Sequence, residues 1–256
     1  MNEELNQPES SPEEESYPIE QLTQTDAMSG TLTSPSETFE TIAHTPLKNY
    51  FIIPVIISVI LGLVSSFLFM SDKELVGKTM DKQKEKMMEK FEQNIKDGKM
   101  TREDADKAME SMNPEGMFFK LIAFGGAVLL PFLTLLILST IYLIILKLMK
   151  ANFEFKNILN VVGLAMIISA VGGLLSIIIS VLKGDLTTIG PGLFLNESST
   201  GEKLYSLLLK IDLFTIWFYA VIAVGLSRIS RTDILKTAPF VFGLWIIYII
   251  ATSFIF

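Results

Sequence analysis

Apolar positions fall into five long runs, about Phe51 to Met70, Leu121 to Leu146, Asn157 to Leu182, Ile211 to Ser227 and Ile234 to Phe256. None of them alternates in the manner of a half-buried strand. Each is continuously greasy over close to the length that a helix, rising 1.5 Å per residue, needs to cross about 30 Å of hydrocarbon. Amides in oil have no water to bond to, so they must pair within the segment. The pattern therefore predicts an all-α polytopic membrane bundle with five transmembrane helices. Pro54 sits in the first turn of its run, where a missing donor costs little. Gly125, Gly126 and Pro131 predict a kink in the second run, not a break. The fourth run has an uncertain start, because Leu204, Tyr205, Leu207, Leu208 and Leu209 extend it backward.

Polar positions organise the rest. Residues 1–34 are rich in Glu, Ser, Thr and Pro, with only isolated apolar points, and are expected to be a disordered acidic tail. From Ser34 to Asn49, early Ser and Glu with Phe39, Ile42 and Ala43 on one face predict a short interfacial helix broken at Pro46. The membrane domain then covers 35–256. Between the first two runs, Ser71 to Gly116 holds ten Lys or Arg and twelve Asp or Glu, with Leu75, Val76, Met80, Met87, Met88, Phe91 and Ile95 at helical spacing. Gly98 stops this helix, Thr101-Arg102-Glu103-Asp104 reads as a capping box, and Ala105, Ala108, Met109 and Met112 give a second helix ending at Pro114. The segment is expected to be an extramembrane helical hairpin (71–116). Lys183 to Lys203 is rich in glycine and is expected to be irregular, with a three-residue sequon match at Asn196-Glu197-Ser198.

Composition sharpens this picture. Half of the 256 residues are hydrophobic, and the net charge of −7 is concentrated, since residues 1–47 carry ten carboxylates and no Lys or Arg, leaving about +3 for the remainder. No concentrated basic surface offers phosphates a counterion-release gain, so a nucleic-acid partner is excluded. The absence of Cys excludes disulfides and thiolate sites. Small residues recur every fourth position in the first run (Ser58, Gly62, Ser66) and the third (Ala165, Ser169, Gly173), spacing that suits close helix packing within the bundle or in a homo-oligomer. Eight of the twelve Met lie between Met70 and Met117, which suits hairpin packing or a greasy face for a protein partner better than a copper site without Cys or His.

Candidate chemistry is sparse. His44 is the only histidine and precedes the first run, so no His-based catalysis or zinc site is available inside the membrane. No nucleophile elbow, Walker A or dinucleotide fingerprint occurs. The reading is non-enzymatic, with no catalytic residues, no cofactor and no metal. Asp212 is the only acid within the five runs, and an intramembrane carboxylate is costly. If the fourth helix starts at Ile211, Asp212 is an N-terminal residue that favours the positive end of the helix dipole. If it starts at Leu204, Asp212 lies deep and needs a cation, with Lys120 or Lys183 favoured and Lys210 on the same face. An ion pathway would need several polar groups in series. Trp217 and Tyr219 suit an interfacial belt, and Trp245 a mid-span packing position.

These residues resemble the Yip1 family of five-span membrane proteins, in its bacterial branch, over roughly Ser34 to Phe256. The resemblance is carried by Pro35-x-x-Thr38-Phe39, Phe153-x-Phe155-Lys156-Asn157 leading into Val161-Val162-Gly163, Asp212-Leu213-Phe214-x-x-Trp217, and Gly243-Leu244-Trp245 with Tyr248. It implies a helical bundle without known catalytic activity, in a bacterial inner membrane, with a cytoplasmic N-terminus and the C-terminus opposite. Lys147, Lys150, Lys156, Arg228, Arg231 and Lys236 in the two short turns on the tail's side agree with that orientation, whereas the larger Lys and Arg count of the hairpin opposes it. The hairpin also departs from the short first loop of eukaryotic relatives. What remains is a membrane scaffold or assembly factor working through membrane lipids and partner contacts, with a small transporter or channel using Asp212 as the alternative.

Overall fold

The computed structural model describes residues 20–111, 113–195 and 197–254. The first part of the expected acidic tail, Met112, the sequon's Asn196 and the last two residues lie outside the described residues. Among the described residues there are eleven α-helices, one 3-10 turn and no strand: α1 Gln24–Thr33, α2 Pro35–His44, α3 Ile52–Ser71, α4 Lys73–Lys96, α5 Arg102–Ser111, α6 Met117–Leu148, α7 Phe155–Lys183, α8 Glu197–Thr200, α9 Glu202–Leu209, α10 Leu213–Ile229 and α11 Ile234–Phe254. Helices α3, α6, α7 and α11 are each long and apolar enough to cross a membrane. Between α7 and α11 lies a bent pair, α9 and α10, which meet at 55° and together are long and apolar enough for one further, broken crossing. Helix α6 runs unbroken through Pro131.

Helix α7 is the axis of the bundle, with α3, α6 and α10 packed around it and α11 against α10. Small residues set these contacts. A Cβ on Gly163 would lie 2.4 Å from the Phe51 Cβ and 2.8 Å from its Cα, and one on Gly225 would lie 2.6 Å from Val161 Cγ1. Hydrogen as a side chain is what lets these backbones approach, the usual device where apolar contact alone does not drive association. Lipid-facing positions such as Ile56, Ile60, Phe67, Leu121, Leu129 and Ile137 stay exposed on the outside, where the bilayer is their solvent.

One end of the bundle is closed by α1 and α2. Disorder was expected up to residue 34, but α1 is ordered, with Ala27 wholly buried. Its own apolar content is low; tertiary contacts supply what the sequence lacks. Gly30 lets α1 cross α2 closely, since a Cβ there would meet Thr38 Oγ1. The Tyr50 hydroxyl donates to Leu22 O at 2.8 Å, Gln24 Nε2 to Tyr50 O at 2.8 Å and Gln21 Nε2 to Pro46 O at 2.8 Å. Phe39 on α2 is fully buried against the ends of α7 and α10. Asn160 of α7 clamps the start of the first span, accepting from Phe51 N at 3.2 Å and donating to Lys48 O at 2.9 Å.

The other end carries the hairpin. Asp72 caps α4 by accepting from Glu74 N and Leu75 N, Gly98 turns the chain at φ 69°, and the Thr101 hydroxyl donates to Asp104 Oδ2 at 2.6 Å while accepting from Asp104 N at 3.1 Å. This is the capping box expected from the sequence. Helix α4 is tied to the segment after α7, Lys78 Nζ donating to Gly184 O at 3.1 Å and Lys82 Nζ lying 3.9 Å from Asp185 Oδ1.

Candidate functional site

The site of interest is the break between α9 and α10. Val161 faces Gly225 and Gly172 faces Phe214, so α7 and α10 run antiparallel in a fixed register. Gly172 lies eleven residues before Lys183, roughly 16 Å along α7 at 1.5 Å per residue, so α10 begins well inside the end of α7. The chain reaches that depth by folding back. Ser180 Oγ donates to Ser176 O at 2.7 Å and to Thr187 O at 3.2 Å and accepts from Thr187 N at 3.0 Å, which turns the segment after α7 down along the helix. Thr188 Oγ1 then donates to Leu209 O at 3.0 Å, and Gly190 passes so close to Ile211 O that a Cβ would lie 2.3 Å from it.

Every N–H in the first turn of α10 is satisfied. Leu213 N donates to Ile189 O at 3.0 Å, Phe214 N and Thr215 N to Asp212 Oδ1 at 2.9 and 3.0 Å, and Ile216 N to Asp212 O at 3.0 Å. The Thr215 hydroxyl donates to Asp212 Oδ2. Helix termini leave four donors unpaired, and at this depth each unpaired one is expensive. Of the two positions open to Asp212, the structure takes the N-terminal one: it is the N-cap of α10. It is nevertheless set back from the end of α7, because the whole helix start is recessed. Among the described residues no cation stands within 4 Å of it.

The lysines considered for that pairing go elsewhere. Lys210 Nζ donates to Thr252 Oγ1 and Ser253 Oγ, both at 3.0 Å, and so pins the end of α11 to the break. Lys183 Nζ donates to Leu193 O at 3.1 Å, and Lys120 is exposed in the first turn of α6. Trp217 is partly exposed, with its ring 6.3 Å from that of Phe214. Sequence reasoning missed Thr188, Ile189 and Thr215, which complete the cap. A hydroxyl three residues after Asp212 was the one available signal, and an acceptor from a loop over twenty residues away gave none.

Around the cap, Ser58, Gly62 and Ser65 of α3, Ser169, Gly172, Gly173 and Ser176 of α7, and Thr188, Asp212 and Thr215 line a cleft of about 530 Å³. Several of its hydroxyls are tied to the backbone or to the cap: Ser58 donates to Pro54 O, Ser180 to Ser176 O, Thr188 to Leu209 O and Thr215 to Asp212. Among the described residues no three His, Asp or Glu side chains converge as a metal site would require. The arrangement can hold a helix end in an apolar setting and present one carboxylate to a cleft. Among the described residues that line this cleft, no second carboxylate, histidine or lysine stands beside Asp212 for proton transfer.

No curated protein and no solved structure gives a significant match to the chain. The model of the Yip1 domain does match, over residues 29–255, nearly the whole described structure and the second half of α1 besides. With four long apolar helices and a bent pair in order, and that domain running almost end to end, the chain belongs to the Yip1 family.

Proposed function

We propose that this Yip1-family membrane protein is non-enzymatic and acts as a membrane scaffold or assembly factor, making its contacts with lipids and with a protein partner through the α4–α5 hairpin. The observation that carries this reading is that the polar groups at the helix starts and at the break are spent on the fold. Asp212 and Thr215 close the start of α10, Asn160 closes the start of α3, and Lys210 fastens α11. A pump or transporter by contrast lines its path with several ionisable groups in series, and among the described residues that line the cleft Asp212 is the one such group. The hairpin supports the reading, since α4, 24 residues long, displays a mixed-charge face on the end of the bundle away from α1 and α2.

We place α1, α2 and the short turns holding Lys147, Lys150, Arg228 and Arg231 in the cytoplasm of a bacterial cell, with the hairpin across the inner membrane. The test is ion flux into liposomes carrying the purified protein. Flux equal to that of empty liposomes, for the native chain and for Asp212→Asn, is the expected result. A conductance abolished by Asp212→Asn overturns the scaffold in favour of a small transporter or channel.

A further inference from the structure

The cleft beside Asp212 is half of a longer groove. A second cleft of about 690 Å³ lies between α6 and α11, lined by Leu130, Tyr142, Phe218, Tyr219 and Trp245 among others. Ser58, Ser169, Ala170 and Thr215 border both, so the two adjoin along α7. Helix α7 is the floor, α3 with α6 one wall, and α10 with α11 the other. The groove shows on α7 itself: Val161 to Ile168 are buried, and the next residue, Ser169, in the middle of the bundle's axis, is exposed.

We propose that this groove binds a single aminophospholipid, with an acyl chain between α6 and α11 and the head-group ammonium on the Asp212 carboxylate. Apolar walls facing an empty space forfeit their dispersion contacts, and at this depth the matter at hand is lipid. A helix does not fit: about 10–12 Å across, it displaces the volume of the larger cleft in roughly 6–9 Å of its length, under a third of what crossing requires. A flexible chain does fit, and the tyrosine and tryptophan rings along it suit an amphiphile. Charge selects the head group. Asp212 has no cation from the chain among the described residues, and its oxygens accept only from Phe214 N, Thr215 N and the Thr215 hydroxyl. A primary ammonium supplies both the missing charge and a charge-assisted hydrogen bond. Choline has no N–H to donate, and a head group that is only anionic is repelled.

The site rests on the reading of the chain as a non-enzymatic membrane protein, but its test is separate from the flux assay. Trp217 and Trp245 are the only tryptophans, and Trp245 lines the groove. In the full chain carrying Trp217→Phe, reconstituted in phosphatidylcholine vesicles, Trp245 fluorescence reports lipids with brominated chains added at a low mole fraction. Brominated phosphatidylethanolamine is expected to quench several-fold more than brominated phosphatidylcholine or phosphatidylglycerol, and more than it quenches Trp217 in the Trp245→Phe chain. Asp212→Asn, which keeps an N-cap, is expected to bring ethanolamine down to the choline level, and Ser169→Leu to remove the excess for every lipid. Melting temperatures show that each variant is folded. Should Asp212→Asn not fold, the head-group comparison on the parent chain and Ser169→Leu decide. Equal quenching by the three lipids, strongest quenching by phosphatidylglycerol, or an excess surviving Ser169→Leu overturns the site.

Discussion

The two ends of the bundle are built from similar letters and differ in how they are filled. At the end closed by α1 and α2, the glycines are occupied: Phe51 fills the space over Gly163, and Val161 and Phe39 meet at Gly225. Toward the hairpin the filling is uneven: Phe214 closes on Gly172 and Ile211 on Gly190, but Gly173 and Gly125 have nothing within 4 Å of where a Cβ would stand, Ser169 is exposed, and α10 starts short. Small residues therefore do not by themselves mean close packing. They permit approach, and the backbone that arrives, or fails to arrive, decides whether the result is a seam or a groove. At the closed end α10 runs the full length of its partner. At the open end it stops at Asp212, and a returning loop satisfies its donors without filling the space beside it.

That contrast is testable, and the largest effect belongs to the closed end. Gly163→Val has to move the Phe51 backbone, and overpacking of this kind costs about 3 kcal/mol. The melting temperature of the purified protein is expected to fall sharply, whereas Gly173→Val, over open space, is expected to leave it nearly unchanged. Equal losses would erase the distinction between seam and groove. Next comes Asn160→Ala, which strands the Phe51 N–H and the Lys48 carbonyl and is expected to cost about 1–3 kcal/mol in the same melt.

At the open end, Asp212→Ala removes an N-cap worth roughly 1 kcal/mol, while Asp212→Asn, an equally good cap, is expected to cost only a few tenths. If Asn proves as damaging as Ala, the charge carries the stability and the cap does not. The smallest effect lies in the hairpin. Thr101, first through its hydroxyl and then through its backbone, holds the Asp104 carboxyl below the usual aspartate range. A depressed carboxyl stabilises α5 above its unfolded value of about 3.9 and loses that contribution as pH falls through the lower folded value. Helix content of the hairpin, followed by circular dichroism, is expected to drop slightly across that acid window, and Thr101→Ala is expected to remove the step.

Much of this was legible beforehand. The four unbroken crossings and the hairpin follow from runs whose backbone has no partner but itself, and from caps written within four residues, as at Thr101 to Asp104. Asp212 was visible as the one acid in a greasy run, and its two possible positions were visible too. The choice between them was not, because it depends on Thr188 and Ile189 arriving from a loop that the chain reaches only after turning back at Ser180. The order of α1 was hidden for a related reason: Ala27, Gly30 and Thr31 are unremarkable until α2 and α7 lie against them.

The amino-acid sequence by itself determined that this chain is helical, that it threads a bilayer, and where most of the crossings lie, since hydrocarbon enforces local hydrogen bonding and local bonding can be read locally. Only the tertiary structure decided where the fourth crossing breaks, that its carboxylate stands without a cation from the chain among the described residues, and that a groove opens beside it. Those outcomes hang on hydrogen bonds and close approaches between segments far apart in the chain, and spacing along a sequence does not record which distant segments meet.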